Sequence, residues 1–524
     1  MGYTVPVFRP RPETGTNQHV QETLTMAEKM DGKQGGVSRR DFMTAAAAGA
    51  AVAAVGAAKR AEADVYKSIL PSTVLGANEK IRTGHIGTGG MGRADLKFAV
   101  QNDNFAVTAL CDLFPKNLER AAQLAGQKFP NTTKHHDFRE IIDNKDIDAV
   151  VIATPDHWHC LTTLYASEAG KFVYCEKPLS TTIAEAHAML DTVKKNKTIF
   201  QGGNMQRSGE HFRKAVELVK SGYIGDVAKV ETFSHDNTDL GGIGMGDPNM
   251  ENPKYAGVDW DFHQGWVAHR PFNTNRWIYN FRWYLDYSGG KITDWGAHLI
   301  DIVMMAMGDD LQPKSVTASG GKFLMKDSRT TPDTLDVNWR FDKFVLSFSN
   351  RVWNPQVIDG TQCDHGIVFY GTKGVLRVDR LGLKVWPSPQ NQVKDAPCEK
   401  QEILPSSPDA EAALNTPHWQ NFADAIKTGA KLDSPIDVLF NTTRVCHIGT
   451  CAYVAGAQFA SGAKFDGTGP SLPDEAPTFG GATLNWDAAT QKFNGGDAEA
   501  VKIANNWAYR EYANGWSLKA PHKA

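Results

Sequence analysis

Three side chains far apart in the sequence have the types and settings to handle a proton: Lys177, Asp294 and His298. Lys177 stands in Glu176-Lys177-Pro178, directly after Phe172 to Cys175, an apolar run that reads as a strand. Proline keeps the residue before it extended, which presents the lysine at the strand's end. An ammonium placed there can hydrogen-bond a hydroxyl and stabilise the alkoxide formed from it. Asp294 and His298 follow a Gly289-Gly290 turn and lie four residues apart, so on one helix they share a face. An imidazole of near-neutral pKa can take a hydroxyl proton while a carboxylate orients and charges it. Asp301, three residues on, either belongs to the site or caps its polar edge. Taken singly, each has a bland reading: a solvated lysine, or a helix cap beside a chance histidine. Their combination argues for chemistry on an alcohol.

The redox partner for such chemistry is written upstream. Gly87-Thr88-Gly89-Gly90-Met91-Gly92 follows the strand-like Ile81 to Ile86 and opens a helix near Arg93. In that context the first glycine permits a tight turn and the second lets backbone approach a pyrophosphate. The third brings helix and strand together, with the diphosphate on the helix N-terminus. Asp112 ends the next strand, twenty residues past Gly92. A carboxylate there binds ribose hydroxyls and repels a 2′-phosphate, so NAD is expected over NADP. Thr154-Pro155-Asp156-His157-Trp158-His159 follows a buried strand, Ala149 to Ala153, at the same sheet edge. Thr154, Pro155, His157, His159, Glu176 and Lys177 are therefore expected beside the nucleotide. His157 and His159 have no nearby acidic pair and read as hydrogen-bonding loop residues, so no metal is expected.

Strand and helix runs alternate from Ile81 to about Met205, which predicts a doubly wound parallel sheet over 81–205. Consecutive strand-like segments then follow with short connections, among them Val227 to His235, Thr334 to Phe341, Phe344 to Asn350 and Gly374 to Val378. They predict an α+β domain with an open-faced, mostly antiparallel sheet over 206–460. The Gly- and Pro-rich start of 461–524 reads as a C-terminal linker and tail.

The 524 residues are 41% hydrophobic and 22% charged, with a net charge of −3, which gives no support for a nucleic acid or anionic membrane partner. Ser38-Arg39-Arg40-Asp41-Phe42-Met43 precedes an alanine-rich stretch ending in Ala61-Glu62-Ala63. This reads as a twin-arginine export signal over 1–63, followed by a linker over 64–80, and predicts a periplasmic or otherwise exported protein. The alternative is a leader that does not function and a cytoplasmic protein. The alanine stretch is too short and too weakly apolar for a stable membrane span. Seven scattered cysteines suit a protein folded in a reducing compartment without disulfides.

The glycine loop, Asp112, Glu176-Lys177-Pro178 and the Asp294/His298 pair, in that order, resemble the glucose–fructose oxidoreductase, inositol dehydrogenase and MocA family over roughly Ile81 to Ala460. The resemblance implies a Rossmann domain followed by an open-faced sheet that often forms the oligomer interface. It also implies that Lys177 and His298 flank a sugar or polyol hydroxyl, with His298 the leading acid/base and Asp294 its support. The segment Thr154 to His159 and the Trp486-Asp487 region look like an exported bacterial branch. The loop Asp236 to Gly290 is longer than in simple inositol dehydrogenases and dense in aromatic residues. Trp266, Arg270 and Trp283 from it, with Arg207, Asp294 and His298, are the expected carbohydrate contacts. The competing reading is a packed structural loop.

An exported enzyme with a scarce cofactor must hold the nucleotide tightly and regenerate it within its own cycle. The primary expectation is hydride transfer to and from a hydroxyl of a sugar, polyol or glycoside. The alternative is net glycoside hydrolysis by oxidation, elimination, water addition and reduction. That is the route of the NAD-dependent α-N-acetylgalactosaminidases, which the chain partly resembles. A non-catalytic sugar-binding or sensor protein is the reading of another class.

Overall fold

A computed structural model describes residues 79–357, 363–388, 398–407, 409–469 and 471–518. The expected export signal over 1–63, and all but the last two residues of the expected linker after it, lie outside the described residues.

Six parallel strands form the first sheet: β1 (Ile81–Ile86), β2 (Phe105–Cys111), β3 (Thr133–His135), β4 (Ala149–Ile152), β5 (Phe172–Cys175) and β6 (Phe200–Gly202). Their order is β3-β2-β1-β4-β5-β6. Continuous apolar runs suit strands covered on both faces, and every residue of β4 is buried. Helices return the chain between strands, and local signals fix their ends. Helix Ile183–Asn196, for example, starts in a capping box formed by Thr182 and Glu185. Chain order reverses between β1 and β4, which opens a crevice at the carboxyl ends of those strands.

The second sheet has twelve strands. Its central members are β7 (Val227–Ser234), β8 (Ser315–Gly321), β9 (Thr334–Arg340), β10 (Val345–Arg351), β11 (His365–Gly371) and β12 (Gly374–Asp379). Only β7 and β10 pair in parallel; the other ladders are antiparallel. Along β9 the buried Leu335, Val337 and Trp339 alternate with exposed Asp336, Asn338 and Arg340. The apolar face packs on helices Gly296–Met307 and Ile436–Ala455 in one core cluster, and the opposite face stays polar. A Cβ on Gly449 would stand 2.6 Å from the Trp339 ring, so glycine sets how closely the second helix approaches.

The C-terminal region departs from the expected linker. Strands β15 (Gln458–Phe459), β16 (Pro477–Gly480), β17 (Thr483–Asp487) and β18 (Lys492–Asn494) extend the sheet beyond β8, and helix Ala498–Ala508 covers it. The remaining strands are β13 (Gly382–Pro387) and β14 (Gln401–Ile403) at the other edge. Glycine and proline here punctuate short strands, whose Leu484, Trp486 and Phe493 join the core with Trp507. The chain then runs back to the first domain: Tyr512 stacks on Trp266 at 4.4 Å and Trp516 meets Trp158 edge-on at 5.1 Å. All seven cysteines are free and buried. No helix among the described residues is long and apolar enough to cross a membrane.

Candidate active site

A cavity of about 520 Å³ runs along the crevice from the glycine loop, past Asp112, to Glu176 and Lys177. Trp277, Tyr279 and Arg282 of the second domain also line it. Gly87 takes φ +84°, and a Cβ on Gly92 would come 1.9 Å from the Gly87 carbonyl oxygen. No side chain fits at either position, so the loop lies bare as a pyrophosphate cradle requires. Gly89, Gly90 and Met91 line the cavity. Asp112 lines it too, accepting hydrogen bonds from the Thr88 amide at 2.7 Å, the Thr88 hydroxyl at 3.0 Å and the Phe114 amide at 2.8 Å. Burial pushes the Asp112 carboxyl up while these donors pull it back. Thr88 thus shapes the site through Asp112, and its own side chain is turned inward.

Thr154, Pro155 and His159 line the cavity, and the Thr154 hydroxyl is a buried polar atom without a partner. A bare glycine cradle, a carboxylate at the second strand's end and an orphaned hydroxyl fit a dinucleotide. His157 does not line the cavity: its Nε2 is 2.7 Å from the His263 carbonyl, inside the core. His159 Nδ1 and Nε2 lie 2.7 and 2.9 Å from the Pro178 and Thr154 carbonyls. The one group of potential ligands among the described residues is Cys363, Asp364 and His365, where burial pushes the Cys363 thiol up to about 12.

At the far end, Lys177 Nζ donates to Asp294 Oδ1 at 2.6 Å, joining the two domains. The two side chains are 14% and 15% exposed. Arg282 Nε lies 3.6 Å from the other Asp294 oxygen. Burial would raise Asp294, but Lys177 and Arg282 outweigh it and hold the carboxyl well below its usual range. Asp294 therefore serves the lysine. It makes no hydrogen bond to His298, contrary to the expected carboxylate–imidazole pair. The helix breaks between them: Asp294 closes the short Lys291–Asp294 helix and His298 belongs to Gly296–Met307.

His298 is 4% exposed, and its Nδ1 has no partner. Burial first, then the charges of Lys177 and Arg380, push the imidazole far below its usual value, so it is neutral. Glu176, beside Lys177, is raised by burial to about 7. The folded chain thus keeps a proton that the unfolded chain, at 4.5, releases, and stability contributed here falls as pH rises from 4.5 to about 7. Glu176→Gln is expected to remove that part of the slope in urea titrations at successive pH values. An unchanged slope would contradict the buried, neutral carboxyl.

Four expected carbohydrate contacts lie elsewhere. Arg207 is buried in ion pairs with Asp301 at 2.7 Å and Asp309 at 2.5 Å, so Asp301 is also structural. Trp266 is fully buried, donating from its indole to the His157 carbonyl at 2.6 Å. Arg270 pairs with Asp286 at 3.1 Å, and the Arg329 guanidinium lies over the buried Trp283 ring at 5.5 Å. Aromatic density in this loop reflects a core, because a ring buried on both faces cannot stack on a sugar. Trp266→Ala is expected to cost about 3–5 kcal/mol of stability, read as a lower melting temperature. A variant of unchanged stability with only weaker sugar binding would restore the platform reading.

Sequence reasoning passed over Arg93, whose guanidinium holds the Thr88 carbonyl at 3.0 Å and lines the cavity. It also passed over Asp156 as a site residue. Asp156 accepts from Ser288 at 2.5 Å, and burial raises it to about 7. Nothing local marks Ser288; only folding brings it across from the second domain.

A two-domain, NAD-binding oxidoreductase is the class that this fold and crevice define, and comparison with known proteins places it further. A family model described as "Oxidoreductase family, NAD-binding Rossmann fold" matches residues 81–204, and the GFO/IDH/MocA C-terminal domain matches 254–377. The chain belongs to the GFO/IDH/MocA family. A levoglucosan dehydrogenase of Pseudarthrobacter phenanthrenivorans is 36% identical over 28% of this chain and 39% of that protein. A glycosyl hydrolase family 109 protein of Stenotrophomonas maltophilia is 31% identical over 45% and 49%. An uncharacterized oxidoreductase of Streptococcus pneumoniae is 25% identical over 58% and 70%. The chain thus spans half or less of the first two relatives. Among solved structures, a levoglucosan dehydrogenase complex with NADH and levoglucosan shares the fold at a TM-score of 0.53. It is 20% identical and covers 71% of this chain and 96% of its own.

Proposed function

We propose that this chain is an exported oxidoreductase that moves a hydride to and from a hydroxyl-bearing carbon of a sugar, polyol or glycoside and retains its NAD between half-reactions. The observation that carries the reading is Lys177, an ammonium held by Asp294 at 2.6 Å, at the end of the glycine-loop cavity. Bound NAD supplies the hydride acceptor and donor. Lys177 hydrogen-bonds the substrate oxygen and stabilises its negative charge as the proton leaves. His298, neutral and with a free ring nitrogen, takes that proton. Its low basicity lets it return the proton when a carbonyl is reduced. Asp294 and Arg282 keep the ammonium aimed.

The test begins with mass spectrometry of nucleotide released from purified protein. Near-UV absorbance then follows the bound nicotinamide after levoglucosan, myo-inositol or other sugars are added. Reduction of bound nucleotide by a sugar supports the reading; protein that carries no nucleotide and reduces none with any sugar overturns it. The relatives named glycosyl hydrolase family 109 favour a second reading, net hydrolysis with no lasting change of the nicotinamide. Release of p-nitrophenol from a p-nitrophenyl glycoside without net NAD reduction would select it.

The Arg39-Arg40 leader supports export, and Arg39→Lys with Arg40→Lys is expected to leave the protein in the cytoplasmic fraction. The polar outer face of the second sheet supports assembly of copies through that face, which light scattering reads as a mass above one chain.

A further inference from the structure

One wall of the nucleotide cavity does not belong to the first domain. Phe262, Trp277, Tyr279 and Arg282, all within residues 253–282, line it. At the Asp112 end this segment is fastened to the residues that follow β2 and β3. Lys116 Nζ donates to the Pro253 and Lys254 carbonyls at 3.3 and 2.8 Å. A Cβ on Gly257, which takes φ +82°, would stand 2.9 Å from Pro115. His136 Nε2 lies 3.1 Å from Asp259 Oδ2, and the Phe262 ring stands 6.1 Å from that of Phe138. Phe114, two residues past Asp112, packs with Val258, Trp260, Phe272 and Trp277 in one buried cluster that bridges the domains. Trp277 meets the Phe114 ring edge-on at 6.1 Å.

At the other end, the Arg282 guanidinium lies over the Tyr279 ring at 4.1 Å while its Nε reaches Asp294. Tyr279 takes φ +62°, a setting that costs a tyrosine energy and persists only where surrounding contacts impose it. On the side away from the cavity, Arg270 and Arg276 pair with Asp474 at 3.4 and 2.7 Å. The segment is therefore held from both sides.

Trp277 is 5% exposed, and its indole nitrogen is a buried donor without an acceptor. Leaving such a donor unpaired is costly, and native proteins seldom do so. A nucleotide brings ribose and phosphate oxygens and adenine nitrogens, all acceptors, into the cavity that Trp277 lines. Asp112 fixes which half lies there, because a carboxylate at the end of the second strand takes the adenosine ribose.

We propose that residues 253–282 form a strap closed over the adenosine half of the NAD, and that Trp277 is a cofactor-binding residue of the second domain, donating from its indole to the adenosine moiety. Release of the nucleotide then requires the cluster around Phe114 to part and expose its aromatic surface to water. Contacts that must break before departure act chiefly on the dissociation rate. The strap rests on the NAD reading and deepens its retention half; it does not depend on which alcohol reacts.

The test uses the full chain as purified with its nucleotide. Excess NAD labelled in the adenine is added, and label per chain is counted over time after rapid desalting. Exchange in the wild type is expected to be slow. Trp277→Ala is expected to quicken it about a hundredfold. Trp277→Phe, which keeps an aromatic ring and removes the N–H, is expected to quicken it about tenfold. Lys116→Met, at an exposed position, frees the start of the strap and is expected to act in the same direction. Melting curves verify folding, and if Trp277→Ala does not fold the other two variants carry the test. Trp339→Ala, in the core of the second sheet, is expected to lower stability and leave exchange unchanged. Equal quickening in Trp339→Ala overturns the strap, since general loosening then explains the effect. Slow exchange that every strap variant leaves unchanged also overturns it, while retention stands. Rapid exchange in the wild type sinks strap and retention together, and reduction of the added NAD by a sugar would still uphold hydride transfer. Exchange quickened as expected, in a protein that no sugar reduces, supports the strap and sinks the hydride-transfer reading instead.

Discussion

Lys177→Ala is expected to lower turnover by about 10²- to 10⁴-fold while NAD stays bound. The nucleotide is gripped by the backbone around Gly87 and Gly92, which the substitution does not touch. Alanine removes the ammonium from the cavity end and leaves Asp294 with Arg282, 3.6 Å away, and the charge of Lys291. Arginine at position 177 is expected not to rescue activity, because a planar fork cannot occupy the place of a compact ammonium. Single-turnover reduction of bound nucleotide, beside a count of nucleotide per chain, separates the two effects. Turnover retained in Lys177→Ala would remove the lysine from the reaction altogether.

Asp294→Asn is the second large effect, and it reaches stability as well as rate. Breaking a largely buried ion pair leaves an uncompensated charge and costs about 3–5 kcal/mol. The lower end applies because Lys177 and Asp294 keep 14% and 15% exposure. The sign with pH follows from the depressed carboxyl. Its stabilisation is complete above the ordinary aspartate value of 3.8 and is lost as pH falls towards its folded value. Wild type should therefore exceed the variant at neutral pH and converge on it in acid. Urea titrations at successive pH values check this, and equal stability at neutral pH would show that the pair contributes nothing.

The two domains differed in how openly the sequence displayed them. Glycine loop, Asp112 and Lys177 stand at strand ends, where periodic apolar runs mark position, so their gathering at one edge could be read directly. Asp294 and His298 were also singled out, but their partnership was misjudged. Spacing of four assumes one continuous helix, and the break at Trp295 is invisible to spacing. Trp266, Arg270 and Trp283 misled for a different cause: composition registers aromatic and cationic density without saying which faces are covered. Tyr512 and Trp516, which cover Trp266 and Trp158, lie more than two hundred residues downstream in a segment read as a tail.

From residue order alone came the alternation that builds a parallel sheet, the glycines that leave backbone bare, the acid that prefers NAD, and a lysine at a strand's end. Those follow from local rules, since each depends on neighbours within a few tens of residues. Folding alone decided that Asp294 serves Lys177 and that Arg207 is bound in buried ion pairs. Charge pairing in a dry interior depends on distance and on water excluded by distant segments, and neither quantity is written along the chain.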